Sequence, residues 1–163
     1  MHRDLKKEPL RGVIPPMATL LLDDNQLDKE GTAQLIEHLI AGGVHGIFIL
    51  GTTGECTNIS YQLRRELITL SCEKVNGRVP VLVGITDTSL EESLALSRLS
   101  KEAGAAAVVA APPYYYGLGE SELITYFNKL ADALPLPLYL YNMPSHTKTM
   151  MTQKAVLELS KHP

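Results

Sequence analysis

Val44-His45-Gly46-Ile47-Phe48-Ile49-Leu50-Gly51-Thr52-Thr53-Gly54-Glu55-Cys56 reads as a strand that runs straight into a polar loop. Its apolar half lacks alternation, the mark of a parallel strand covered on both faces. Working outward, residues 28–41 place Leu35, Ile36, Leu39 and Ile40 on one helical face, with Asp28 as cap and Gly42-Gly43 as stop. Residues 60–75 carry a second such face in Leu63, Leu67, Ile68 and Leu70. Further strands are expected at Val13–Met17, Val79–Ile85, Ala106–Ala110 and Leu136–Tyr141. Ser89-Leu90-Glu91-Glu92 has the capping-box pattern and opens a helix that ends near Gly104. Helices over about 121–133 and 152–161 complete five successive βα units.

Two α/β architectures accommodate this order: a five-stranded doubly wound sheet and part of a (β/α)8 barrel. Length favours the open sheet, because a whole barrel takes ~250 residues. Loop chemistry favours the barrel. The polar residues cluster after strand ends, at Thr52-Thr53, Tyr114-Tyr115 and Tyr141-Asn142, and no glycine-rich phosphate loop follows the first strand.

Composition narrows the function classes. With 163 residues the chain corresponds to about one domain. Fifteen basic residues against eighteen acidic ones leave a net charge of −3, which argues against nucleic-acid and anionic-membrane partners. Two cysteines, Cys56 and Cys72, make neither a disulfide framework nor a zinc site and suit a reducing cytoplasm. Met1–Glu8 lacks the apolar core of a signal peptide, and no apolar run reaches the roughly 20 residues of a membrane helix.

Three segments have chemical promise. In Gly51-Thr52-Thr53-Gly54-Glu55 the glycines permit a tight turn and the threonines add hydroxyls, a nest suited to a small carboxylate or phosphate. A plain βα turn would use the same residues to satisfy its own backbone. Tyr141-Asn142-Met143-Pro144 puts a phenol at a strand terminus, where it can transfer protons or simply meet one carbonyl. Pro112-Pro113-Tyr114-Tyr115-Tyr116 is an aromatic loop of the kind common at interfaces. His2, His38, His45, His146 and His162 show no metal-ligand spacing, and Glu55 is the single carboxylate of the prominent loops, so no metal site is expected. Cys56 reads more simply as a packed thiol than as a nucleophile.

Taken together, Gly51-Thr52-Thr53-Gly54-Glu55, Pro113-Tyr114-Tyr115 and Tyr141-Asn142-Met143-Pro144 resemble the dihydrodipicolinate synthase / N-acetylneuraminate lyase family of pyruvate-dependent class I aldolases. The resemblance runs from about Gly12 to Pro163. It implies a (β/α)8 barrel of which residues 1–163 supply the first five βα units, a homo-oligomer (dimer or tetramer), and no cofactor or metal. It implies that Thr52 and Thr53, with Gly51, hold the carboxylate of pyruvate or a related 2-keto acid. Tyr141 resembles the proton-shuttling tyrosine, Thr52 its relay partner, and Tyr115 the relay tyrosine that reaches a neighbouring subunit's site. The family's Schiff-base lysine lies on the sixth strand, and Lys148, Lys154 and Lys161 read as solvated or helix-end residues instead. The fragment alone is therefore expected to be inactive. An alternative is a non-catalytic keto-acid-binding or structural subunit of the same fold. Members that use aspartate semialdehyde have an arginine where this chain has His146, which weakens that assignment and leaves room for sugar-acid substrates.

Overall fold

In the computed structural model, residues 10–23 and 25–162 are described. The leader reading of Met1–Glu8 falls outside them.

The expected helices form with the caps their sequences offer. Helix α1 (Lys29–Ala41) starts where Asp28 accepts from the Gly31 N–H. The sheet strand before helix α2 (Tyr61–Val75) is Ile47–Ile49, and Ser60 caps that helix through the Leu63 N–H. Asn76, in the left-handed region at φ 47°, ends α2, and Gly104 at φ 94° ends helix α3 (Leu90–Ala103). Helix α4 (Glu120–Ala133) begins with Glu122 accepting the Gly119 N–H, and Thr152 caps helix α6 (Gln153–Leu159). Each N-terminal cap satisfies one of the four N–H groups that a helix start leaves open.

Four details depart from the sequence reading. Val13–Met17 forms no regular strand. Its two prolines remove donors, so it follows the sheet through one isolated bridge, Pro16 to Phe48, with Met17 N–H donating to the Phe48 carbonyl at 2.8 Å. A small antiparallel hairpin, β1 (Leu21–Asp23) with β2 (Gln26–Leu27), precedes α1. A one-turn helix α5 (Pro144–Thr147) follows the last strand. The capping box at Ser89 is only half made: Ser89 caps Glu92, but the Glu92 carboxylate pairs with Arg65 at 2.8 Å, and the Ser89 N–H donates to Asp87 at 2.9 Å.

The sheet strands are β3 (Ile47–Ile49), β4 (Val81–Gly84), β5 (Ala107–Ala110) and β6 (Leu138–Leu140), all parallel and paired in chain order. A doubly wound sheet reverses its order part-way. Here each new strand adds to the same side of the last, which is the winding of a barrel arc. Pro80 and Pro137 sit just before β4 and β6, where no ladder donor is needed, and their carbonyls accept from Ile47 and Val108.

Alternation along these strands divides two apolar regions. Ile47, Ile49, Val81, Val83, Val108 and Ala110 face the helices and join the main core with Ile36, Leu67, Ile68, Leu96, Phe127 and Leu130. Phe48, Leu82, Ala107, Val109, Tyr139 and Tyr141 form the second, smaller cluster on the concave face. Toward the C-terminal end of that face the side chains shrink to Gly84, Val109 and Ala111, and space opens there.

Gly84 is what makes this corner possible. A Cβ on it would lie 2.0 Å from the Leu50 carbonyl oxygen. Leu50, 1% exposed, turns the chain out of β3 at φ 56°, a conformation that a bulky residue seldom adopts. Gly84→Ala is expected to destabilise the protein by about 1–3 kcal/mol in urea unfolding, through overpacking against main chain that has nowhere to go. Gly117→Ala, whose new methyl meets nothing nearer than 3.7 Å, serves as the control and should stay within about 0.5 kcal/mol.

Candidate active site

The strand ends converge on a cavity of about 420 Å³. The Gly51 loop enters first. After the left-handed Leu50, Gly54 N–H returns to the Gly51 carbonyl at 3.1 Å and Glu55 N–H to that of Thr52 at 3.0 Å. Thr19 pins the far side, its hydroxyl donating to the Gly54 carbonyl at 2.6 Å. Among the described residues, the Thr52 and Thr53 N–H groups and hydroxyls have no internal partner. These adjacent open donors are what a small carboxylate needs.

Tyr141 enters from the other side. Its N–H donates to the Ala110 carbonyl at 2.9 Å, and its ring stands edge-on to Phe48 at 6.5 Å between centroids. Asn142, the next residue, bonds to the Met151 N–H at 3.1 Å and so closes the loop that carries α5. Within that loop Thr147 is buried and bonds to the carbonyls of Met143 and Thr149. His146 stays exposed and shares a 2.9 Å hydrogen bond with Ser145.

The structure brings Gly51, Thr52, Tyr141 and His146 to the cavity wall. Thr53 lies beside the wall in the same loop, exposed and outside the lining. Tyr115 is 71% exposed and packs edge-on against Tyr116, so it does not meet Tyr141 within this chain. Tyr114 takes the inward place in that loop. Burial, and next the charge of Asp87, push its phenol above the usual range. Glu55 and His146 are the carboxylate and the imidazole of the lining. Thr52, Thr57, Asn58, Thr86 and the two tyrosines supply neutral polar groups.

Sequence reasoning missed a polar cluster behind this wall. Arg64 on α2 and Asp87 after β4 form an ion pair at 3.0 Å, with side chains 6% and 1% exposed. The Tyr61 hydroxyl bonds to the same carboxylate at 3.0 Å, and the Arg64 guanidinium lies 4.7 Å from the Tyr61 ring centre. Arg64 looked like one more charge on an amphipathic helix. Only its place on the apolar stripe, one residue after Leu63 and three before Leu67, signalled burial.

Lys148 and Lys154 are exposed, as read, and Lys154 pairs with Glu120 at 2.9 Å. Lys161 pairs with Glu158 at 2.6 Å. No group of three or more metal-ligating side chains exists among the described residues, and none of their helices is long and apolar enough to cross a membrane.

Comparison with known proteins bears on this geometry. Residues 9–163 match the model of the dihydrodipicolinate synthetase family. The structure of dihydrodipicolinate synthase from Bacteroides thetaiotaomicron superposes with a TM-score of 0.92 at 54% identity, over 95% of this chain and 52% of that one. YagE of Escherichia coli K12, a prophage protein of the same family crystallised with pyruvate, superposes with a TM-score of 0.89 at 41% identity, over 92% of this chain and 50% of that one. YagE is named a putative 2-dehydro-3-deoxy-D-gluconate aldolase. The 4-hydroxy-tetrahydrodipicolinate synthase of Methanoculleus marisnigri is 40% identical over 154 residues, 93% of this chain and 53% of that protein. The chain thus spans about half the length of the curated relatives it matches.

Cys56 reports on the cavity and Cys72 on the core. Burial raises the Cys72 thiol to about 11, and burial also raises Cys56, which lines the cavity. At pH 8 a thiol near 11 is ionised about one part in a thousand. Iodoacetamide is expected to modify Cys56 slowly and Cys72 only after denaturation, as read by peptide mass mapping.

Proposed function

Because this chain belongs to the dihydrodipicolinate synthetase family, whose fold is the (β/α)8 barrel, we propose that it supplies the first five βα units of a pyruvate-dependent lyase or aldolase. The observation that carries this reading is the pairing, across one cavity, of the open donors at Thr52 with the Tyr141 phenol.

In this reading the keto-acid carboxylate sits on the Thr52 and Thr53 N–H groups at Gly51, and its ketone points to the cavity centre. A lysine of the barrel's sixth strand, outside these 163 residues, attacks the ketone carbon. Its nitrogen bonds to that carbon, and the ketone oxygen leaves as water once it has gained two protons. Tyr141 delivers and recovers those protons, with Thr52 as the next hydroxyl in the relay. Tyr115 serves the same relay in a neighbouring copy, to which its 71% exposure leaves it free to reach. The resulting enamine adds to an aldehyde carbon, or the reverse step cleaves that bond. The protein acts in the cytoplasm as a homo-oligomer.

The aldehyde partner follows from the wall. No arginine or lysine lines the cavity among the described residues, and His146 cannot offer the two-pronged grip of a guanidinium. A neutral hydroxylated aldehyde matches these hydroxyls better than a carboxylated one. The likeness to YagE, named for a sugar-acid aldolase, points the same way. A second reading, carried by the same open donors at Thr52 and Thr53, is that these residues bind a keto acid without catalysis.

Incubation with pyruvate and borohydride, followed by intact mass, separates the two. A reduced adduct on the whole protein supports the lyase, and its absence supports the binding subunit. Tyr141→Phe is expected to lower turnover about 10²–10⁴-fold, with little change in melting temperature. His146→Arg is expected to shift preference toward aldehydes bearing a carboxylate, measured as the ratio of kcat/KM values for the two aldehyde classes.

A further inference from the structure

The aromatic loop after β5 hangs between two threonine hydroxyls. At its start the Ala111 N–H donates to Thr86 Oγ1 at 2.9 Å. At its end the Leu118 N–H donates to Thr149 Oγ1 at 3.1 Å. Between these anchors residues 112–117 make no backbone hydrogen bond among the described residues. Pro112 and Pro113 have no N–H to give. Yet this loop carries Tyr114, which lines the cavity, and Tyr115, which stands out into solvent.

The second anchor reaches across 31 residues to the segment between α5 and α6. There Thr147, Thr149 and Met151 are buried, while Lys148 and Met150 between them are exposed. Asn142 holds that segment close to the end of β6 by accepting the Met151 N–H at 3.1 Å. Thr147 bonds within the segment, to the carbonyls of Met143 and Thr149. The Thr149 hydroxyl serves the other loop instead. Valine would fill the same buried place, but it would leave the Leu118 N–H without its acceptor. Just beyond, Glu120 accepts from the Thr152 hydroxyl at 2.5 Å and from Lys154 at 2.9 Å, on the exposed side of the same junction.

We propose that Thr149 is a positioning residue for the candidate site: its hydroxyl fixes the end of the aromatic loop on the segment that follows Tyr141, and so sets where Tyr114 and Tyr115 stand relative to Tyr141. Thr149 does not line the cavity, so it acts through Leu118 and not on substrate. The kinetic half of the proposal rests on the pyruvate-lyase reading, and the structural half does not. The open donors at Thr52 lie on another loop, so keto-acid binding is left alone and the effect falls on proton transfer.

Two variants of the whole protein test this. Thr149→Val keeps the size and loses the acceptor, and Thr149→Ser keeps the acceptor. Hydrogen exchange over residues 114–118, followed by mass spectrometry, reads the loop without any reaction. Thr149→Val is expected to speed exchange there about tenfold or more while exchange in β5 stays at its native rate, and Thr149→Ser is expected to stay near native. Unchanged exchange in folded Thr149→Val overturns the proposal, whatever the activity. In turnover, Thr149→Val is expected to lose about tenfold or more in kcat, the scale of a misplaced relay, while KM for pyruvate stays within about twofold. Thr149→Ser is expected to recover most of that loss. Unchanged kcat overturns the proposal, and so does a parallel rise in KM or a serine variant as slow as the valine one. If Thr149→Val does not fold, Thr149→Ala against Thr149→Ser makes the same comparison of a side chain without and with the hydroxyl. If the unmodified protein gives no borohydride adduct, the lyase reading fails, and hydrogen exchange still decides whether Thr149 holds the loop.

Discussion

The Leu50 carbonyl lies where a side chain on Gly84 would have to be. Much of the site depends on that one close approach. It lets the chain leave β3 in a left-handed turn instead of running on as strand, and this swings Gly51 and Thr52 across the sheet end toward Tyr141. The turn is held by its surroundings. Leu50 is buried in the main core, Met17 is bonded to Phe48, and Thr19 is bonded to Gly54. Strained backbone persists only where neighbours over-determine it, and it gathers at sites that need fixed geometry.

Polarity is distributed with equal economy. The cavity wall offers mainly hydroxyls and amides, with the Glu55 carboxylate and the His146 imidazole among them. A buried ion pair, Arg64–Asp87, lies one step behind. There the Asp87 carboxylate accepts from the Tyr61 hydroxyl at 3.0 Å.

Much of this was legible in the residues because the governing interactions are local. Asp28, Ser60 and Thr152 each cap a helix from a neighbouring position, and the unbroken apolar runs at 47–49, 81–84 and 107–110 became buried parallel strands. Thr52 and Tyr141 could be paired from the residues alone, since parallel strands finish at the same end of the sheet. What stayed hidden depends on distance or on main-chain angles. Arg64 and Asp87 are 23 residues apart, and nothing in either neighbourhood names the other. Glu92 followed the capping-box pattern but found Arg65 on the adjacent helix, a tertiary competitor that no local rule contains. Val13–Met17 kept its place beside β3 while losing its ladder to proline chemistry. Three consecutive tyrosines gave no sign that Tyr114 would turn inward and Tyr115 outward.

The strictly sequential pairing of β3 through β6 bears on how the molecule is made. Each βα unit docks on the unit synthesised just before it, so the sheet can lengthen at one margin as the ribosome delivers residues, without waiting for distant partners. The Gly51 loop is then in place long before the segment bearing Tyr141 arrives. The candidate site is thus a late product of synthesis: its Gly51 half is moulded first, and its Tyr141 half closes over it.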